Sequence, residues 1–359
     1  MTKPILRFAA LCSIAAGLFA QNNTVVGSGY TAPTPISAAP GQILNLLVEG
    51  VGSKLTQRVT APGTPLPTVL AGISVTLKQT RGTQSVPVPI LAVRPISTCA
   101  NGGASCGSYA AVTIQVPYEL VPNQLGTAQV GNTAQFIVSE NGAAGGAVDV
   151  NPLPYQVHVL NTCDINTGLP AGCSPAPIVT HADGSLVSMT KPAHAGEELV
   201  MYTFGLGATT PPIPTGAAAP PGSTTTGLFR FNFDFRANVA ASEPPFFAFT
   251  CEAIRICPFD PLYAGLTAGF VGLYQANFVL PPVPDTMFLP CGSGVTSNLT
   301  VSLYSEDHVS FDGVGICVEL GSGVAPVTNS SPSLELAPTR GGGGGLPGLA
   351  LDSTTSAPQ

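Results

Sequence analysis

Two distant stretches of this chain repeat one pattern. Pro40-Gly41-Gln42-Ile43-Leu44-Asn45-Leu46-Leu47-Val48-Glu49-Gly50-Val51-Gly52 recurs in outline as Ala195-Gly196-Glu197-Glu198-Leu199-Val200-Met201-Tyr202-Thr203-Phe204-Gly205-Leu206-Gly207. Three glycines coincide, and each copy sets an apolar run between turns. A second anchor follows each copy, Thr113-Ile114-Gln115-Val116-Pro117 and Asn277-Phe278-Val279-Leu280-Pro281. From the first glycine to the proline is 76 residues in one copy and 85 in the other. A repeat of that length reads as a duplicated domain, not a solenoid unit.

The segments between these anchors read as short strands. Gly72 to Leu77 alternates and is β-branched. Pro87 to Val93 is an apolar strand whose prolines favour an edge. Ala134 to Glu140 ends at Asn141-Gly142, a strong hairpin signal. Tyr155 to Leu160 alternates for most of its length. Leu228 to Phe235 places Phe229, Phe231, Phe233 and Phe235 on one face, and Leu299 to Tyr304 repeats the habit. No window of 12 or more residues after the first twenty carries a capped helical stripe. Leu266 to Tyr274 offers a turn of helix at most, weakened by Gly269 and Gly272.

Composition supports the same class. Gly (41) and Pro (36) make up about a fifth of the 359 residues, while only 9% are charged. The formal charge is -7 and no basic cluster occurs, which excludes a nucleic-acid binder. A long-helix or coiled-coil protein is excluded as well. With 44% hydrophobic residues the chain is not simply disordered.

The ends differ from the middle. Lys3 and Arg7 precede an apolar run from Ile5 to Phe19, and Leu18-Phe19-Ala20 is a tolerable cleavage context. Residues 1–20 therefore read as a secretory signal peptide. From Val324 the chain holds Ser-Pro, Pro-Thr and a Gly341 to Gly345 run, which reads as a flexible tail. No second apolar segment is long enough to span a bilayer.

Loss of Cys12 with the signal leaves Cys99, Cys106, Cys163, Cys173, Cys251, Cys257, Cys291 and Cys317. An even number in an exported chain signals disulfides. Eight cysteines allow 105 connectivities. Their grouping makes 99–106, 163–173, 251–257 and 291–317 an attractive set. Gaps of 7, 10 and 6 residues and the lack of Cys-x-x-Cys disfavour zinc or a thioredoxin-like centre.

Several stretches carry a family resemblance. They are Leu70 to Val75, Gln115-Val116-Pro117, His181 to Val187, Lys191 to Glu197, Tyr202 to Gly207 and Ala268 to Asn277. In this order they resemble the C-terminal modules of secreted proteins of soil Acidobacteria, of the Solibacter type, over roughly Pro35 to Leu320. The resemblance implies tandem immunoglobulin-like β-sandwiches, often fused behind repeat or enzymatic regions, and no assigned activity. This chain departs from it by its eight cysteines, by a longer insert around Pro220 to Pro258 and by carrying no other recognisable domain.

Chemistry is sparse. His158 sits in an alternating strand, which suits a structural role. His181, Asp183 and Ser185 are too close in sequence to imply a triad, no Gly-x-Ser-x-Gly elbow occurs, and an Asx-type turn explains them. His194 with Glu197 and Glu198 would converge on a helix, but the segment reads as turn and strand. Glu306, Asp307 and Asp312 around His308 read as a solvated acidic loop or a weak calcium site. The phenylalanines, with Phe246 and Phe247, read as core, and the alternative is a carbohydrate- or protein-binding platform. No phosphate loop, dinucleotide fingerprint or zincin motif occurs.

The expectation is an all-β protein of two tandem immunoglobulin-like β-sandwich domains with a flexible C-terminal tail. Its parts are a signal peptide (1–20), an N-terminal extension (21–34), a first sandwich (35–165), a second (166–323) and the tail (324–359). The expected function is a secreted or cell-surface, non-enzymatic structural or adhesive protein, with self-association through strand edges as one route. A carbohydrate-binding module and a secreted hydrolase with an unrecognised site are the alternatives. Expected partners are an extracellular protein or surface polysaccharide. No catalytic, cofactor or metal residue, no cofactor, no nucleic acid and no membrane span is expected.

Overall fold

The computed structural model describes residues 24–28, 36–97, 108–123, 131–166, 176–241, 259–282, 289–307 and 309–319. The expected signal peptide (1–20) and C-terminal tail (324–359), His308, Phe246, Phe247 and Cys99, Cys106, Cys173, Cys251 and Cys257 lie outside them. The first half holds β1 (Thr24–Ser28), β2 (Ile36–Ala38), β3 (Ile43–Glu49), β4 (Val59–Thr60), β5 (Val69–Leu70), β6 (Ile73–Gln79), β7 (Ser85–Val88), β8 (Ile90–Ser97), β9 (Ser108–Gln115), β10 (Ala134–Glu140) and β11 (Ala143–Pro152). The second holds β12 (His158–Val159), α1 (Thr162–Asn166), β13 (Val179–His181), β14 (Ala193–His194), β15 (Glu198–Phe204), β16 (Thr209–Thr210), β17 (Thr224–Thr225), β18 (Phe229–Asp234), β19 (Tyr263–Leu266), β20 (Tyr274–Val279), β21 (Leu299–Ser305), β22 (Phe311–Ile316) and β23 (Val318–Glu319). The described chain is thus nearly all β. The expected N-terminal extension is not plain linker, since β1 pairs antiparallel with β3.

Each half closes two sheets over one core. Sheet β1-β3-β9-β8-β4 faces sheet β2-β11-β10-β6-β5 in the first half, with β7 added beside β6. Leu44, Leu46, Val112 and Ile114 from one sheet meet Ile73, Val75, Leu77 and Phe136 from the other. In the second half β15, β20 and β19 face β18, β21 and β22, with Leu199, Met201 and Phe278 against Phe231, Phe233 and Val301. Period-two burial explains the placement. Strand β15 alternates exposed or half-buried with buried residues, so one face enters the core.

The duplication seen in the sequence is a duplication of pairing. Strands β3, β9 and β8 pair in order, as do β15, β20 and β19. Strands β6, β10 and β11 match β18, β21 and β22. The short parallel pair β2 with β11 matches β14 with β23. The anchors superimpose in detail. Gly41 N–H donates to the Val116 carbonyl and Val116 N–H to the Gln42 carbonyl; Gly196 and Leu280, then Leu280 and Glu197, do the same. All three pairs of coincident glycines have φ between +72° and +81°, where a Cβ is strained.

Two turns decide local register. Asn141 and Gly142, at φ +50° and +84°, join β10 to β11 as the hairpin signal required. The run Pro87 to Val93 is not one strand. Pro89, without an N–H, ends β7 and lets the chain cross from β6 in one sheet to β9 in the other. Residues 267–273 form the loop between β19 and β20, without a helical turn.

The sheets change over between Pro152 and His158, ahead of the expected division between 35–165 and 166–323. Leu153 N–H still donates to Ala38 of the first half. Gln156 N–H already donates to Gly205 of the second (2.8 Å). A side chain on Gly205 would collide with the Gln156 carbonyl, and one on Gly207 with the Pro154 carbonyl. Tyr155 packs edge-on against Phe229, with ring centroids 5.1 Å apart. The linker is therefore seated on the second module.

A seam joins the halves, and all described residues fall in one compact unit. The loop between β16 and β17 holds Pro211, Pro212, Pro214, Pro220 and Pro221, which limit its backbone freedom, and carries Thr215 and Gly216 to the first half. Gly216 N–H donates to Gln115 Oε1 (2.7 Å, buried) and Leu66 N–H to the Gly216 carbonyl (2.8 Å). Tyr118 N–H donates to Thr215 Oγ1 (2.9 Å), and that hydroxyl donates to Glu119 (2.6 Å). The Tyr118 ring packs on the second core, its hydroxyl 3.4 Å from that of Tyr274. Tyr274 is fully buried and donates to the Gly207 carbonyl (2.5 Å). Burial holds the Tyr274 phenol well above its usual pKa, and burial raises Tyr118 despite their mutual hydrogen bond. Both stay neutral donors.

Of the attractive cysteine pairs, Cys291–Cys317 is formed, with Cα atoms 5.9 Å apart. It ties the segment before β21 to the junction of β22 and β23. Cys163 is also disulfide-bonded. A Cys291→Ser, Cys317→Ser chain is expected to lose about 3–4 kcal/mol of unfolding free energy, the scale for a cross-link closing a loop of this size. Urea unfolding under non-reducing conditions measures it, and an unchanged midpoint would count against a stabilising cross-link.

Candidate functional site

An open trench of about 800 Å³ lies beside β22. Its walls are Val157 to Val159, Asn238 to Ala241, Thr296, Ser297 and Phe311 to Gly315. His158 borders it between two carboxylates. Its Nε2 lies 2.9 Å from Asp164 Oδ2 and its Nδ1 3.3 Å from Asp312 Oδ2. Helix α1 sets Asp164 in place. Asn161 caps it by accepting from Cys163 N–H (2.9 Å), and Asp164 Oδ2 accepts Asn161 N–H (2.9 Å). Asp312 arrives from β22 and also accepts Val159 N–H (2.8 Å).

Burial works against a charged imidazole, but hydrogen bonds and attraction from Asp164 and Asp312 outweigh it. The His158 pKa rises to about 9. At neutral pH both ring nitrogens carry protons and face carboxylates, so the ring has no lone pair with which to act as a general base. The cluster braces β12 and α1 against β22. Its linkage has a definite sign. The folded pKa exceeds the usual 6.5, so the contribution is full below about pH 6.5 and lost as pH rises towards 9. The urea midpoint is expected to fall over that window, and His158→Asn should flatten this part of the profile. An identical pH profile in the variant would refute the brace.

The other sequence candidates do not converge on one centre. His181 is buried, its Nδ1 2.5 Å from Glu197 Oε1 and its Nε2 3.2 Å from the Lys191 carbonyl. Its ring is committed to these partners, not to Ser185. Asp183 accepts the Ser185 N–H (2.9 Å) and hydroxyl (2.5 Å), which is the Asx turn the sequence suggests. The Lys191 ammonium, then Ser185, holds the exposed Asp183 carboxyl well below its usual range. His194 lies 3.9 Å from Glu319, Glu197 accepts the His194 N–H and Glu198 accepts from Asn277. Glu306 pairs with Arg230 (3.1 Å), Asp312 with His158, and Asp307 accepts Val309 N–H. Among the described residues no three His, Cys, Asp or Glu side chains are grouped to hold a metal.

The phenylalanines of β18 belong to the core, as the sequence reading favoured. Phe229, Phe231 and Phe233 are at most 4% exposed, and Phe231 lies 4.6 Å from Phe278 between ring centroids. Phe235 packs on the same core. Among the described residues no helix is long and apolar enough to cross a membrane. Sequence reasoning missed Asp164 as the partner of His158. The signal was Asn161 three residues before an acidic residue, a helix-start pattern in a chain otherwise read as strands.

No family model matches the chain, and no curated protein matches it. One solved structure, the C-terminal domain of the Streptococcus agalactiae AgI/II polypeptide BspA, aligns over 78% of this chain and 92% of its own. Identity is 9% and the TM-score 0.13, a level at which no correspondence of fold is drawn.

Proposed function

We propose that the chain is a secreted, non-enzymatic structural or adhesive protein of two tandem immunoglobulin-like β-sandwiches. It presents sheet faces and loops to an extracellular protein or surface polysaccharide. The pairing scheme supports the fold reading. In each half two facing sheets are formed, and a short early strand, β2 or β14, runs parallel to the last, β11 or β23. The seam carries the functional reading. Half-buried Tyr118, buried Tyr274, Gln115 and the Thr215–Gly216 loop spend polar groups on fixing one module against the other. Such a joint suits load bearing and fixed presentation. The charged groups of the trench, His158 and Asp312, serve the brace. Among the described residues strands β7 and β22 each pair on one side only, and such edges offer a route to self-association.

The test is retention under flow. Beads carrying the mature chain are passed over surfaces coated with cell-wall polysaccharide or with extracellular protein, and the effluent is assayed for released sugars and peptides. Retention without released product is expected. Steady product release would overturn the reading. Sedimentation velocity across a concentration series tests self-association, where a rising coefficient is expected and a constant one removes the edge-pairing route.

A further inference from the structure

The outward face of β15, β20 and β19 carries side chains that the second core does not use. Leu199, Met201, Tyr274, Ala276 and Phe278 point inward, so alternation sends Glu198, Tyr202, Gln275, Asn277 and Tyr263 outward, with the apolar Val200, Phe204 and Val279 at their margins. Register places Tyr202 opposite Gln275 and Gln275 opposite Gly265, while Asn277 lies opposite Tyr263. Gly265 makes room for the Tyr263 phenol. A methyl placed on Gly265 would lie 2.6 Å from the Tyr263 hydroxyl and 2.8 Å from its Cζ. The hydroxyl is within hydrogen-bonding reach of the Ser223 carbonyl (2.9 Å) and the Leu266 carbonyl (3.0 Å). The tip of the ring is thus pinned down, and the ring leans across the sheet.

A polar row runs beside it. Gln275 Nε2 donates to Asn277 Oδ1 (3.1 Å), and Asn277 Nδ2 donates to Glu198 Oε1 (3.2 Å). These bonds fix the orientation of both amides and keep Gln275 Oε1 and Glu198 Oε2 as acceptors. Glu198 is the only charged residue facing outward on the three strands, so they offer no cation to an anionic polymer.

We infer that this face binds an extended, neutral, β-1,4-linked glycan. A pyranose presents a C–H face that stacks on an aromatic ring, and equatorial hydroxyls that exchange hydrogen bonds with amides and carboxylates. Tyr202 and the Tyr263 ring lie two strands apart, roughly 10 Å. That is the length of one disaccharide unit of such a chain, so the two rings take alternate sugars with Gln275 between them. The uncharged row and single carboxylate match a neutral polyhydroxyl partner. The inference rests on the adhesive reading above and names the chemistry of its partner.

Isothermal titration of the intact chain with cellohexaose and with chitohexaose tests it, beside Tyr202→Ala, Tyr202→Phe and Gln275→Ala variants whose thermal unfolding matches the parent. At least one hexasaccharide is expected to bind. Tyr202→Ala and Gln275→Ala should each weaken that binding about tenfold, and Tyr202→Phe should retain it. No binding of either sugar at millimolar concentration, or unchanged affinity in Tyr202→Ala, would overturn the inference and leave the adhesive reading standing. Mass spectrometry of the recovered sugar separates the two ideas. Intact hexasaccharide is expected, and shortened products would overturn the non-enzymatic reading itself.

Discussion

A Gly205→Ala chain is expected to lose about 4 kcal/mol of unfolding free energy, read as a fall in urea midpoint at unchanged slope. Two effects add. Gly205 sits at φ +79°, where a Cβ is strained. The new methyl would also meet the Gln156 carbonyl, a backbone atom that no rotamer change can move. Relief requires the linker to lift, which breaks the Gln156 to Gly205 hydrogen bond. Gly184→Ala is the matched control. Its φ is +80° and nothing lies within 4 Å of the added methyl, so it should lose only about 1 kcal/mol. Equal losses in the two variants would show that the linker does not press on Gly205.

Tyr118→Ala is expected to lose about 4 kcal/mol, within the usual range for removing a largely buried aromatic side chain. The ring covers the second core and stands against Gly41, whose added Cβ would collide with it. Its removal also takes away the hydroxyl beside that of Tyr274. The consequence reaches beyond stability. Without the ring the seam keeps the Thr215–Gly216 hydrogen bonds and the approach of Gly272 to Gly41 and Ile43, and the modules should begin to unfold separately. Tyr118→Phe keeps the ring and should lose about 1 kcal/mol, the scale of one hydrogen bond. A Tyr118→Ala chain as stable as the parent would mean that the ring adds nothing to the joint.

Local rules made much of the fold legible. The coincident glycines mark positive-φ turns at the same two ends of β3 and β15, so the repeat could be seen without any contact information. Asn141-Gly142 names its own hairpin, and the phenylalanine parity of β18 names its buried face. Pro89 was harder, because proline at an edge and proline at a crossing between sheets look alike in a single apolar run. The seam was not legible at all. Gln115 and Gly216 are 101 residues apart, and Tyr118 and Tyr274 are 156 apart. Neither residue type predicts such a partner. The His158 brace failed for the same reason. Asp164 is near in sequence, but Asp312 comes from the far end of the second module. The glycan face depends on register across three strands, which alternation alone does not set.

Differential scanning calorimetry of residues 21–359 tests the joint between the modules most directly. If the seam locks the two sandwiches, the parent chain unfolds in one transition whose calorimetric and van't Hoff enthalpies agree, and Tyr118→Ala splits it into two. Two resolved transitions in the parent chain, unaltered by Tyr118→Ala, would contradict a locked joint.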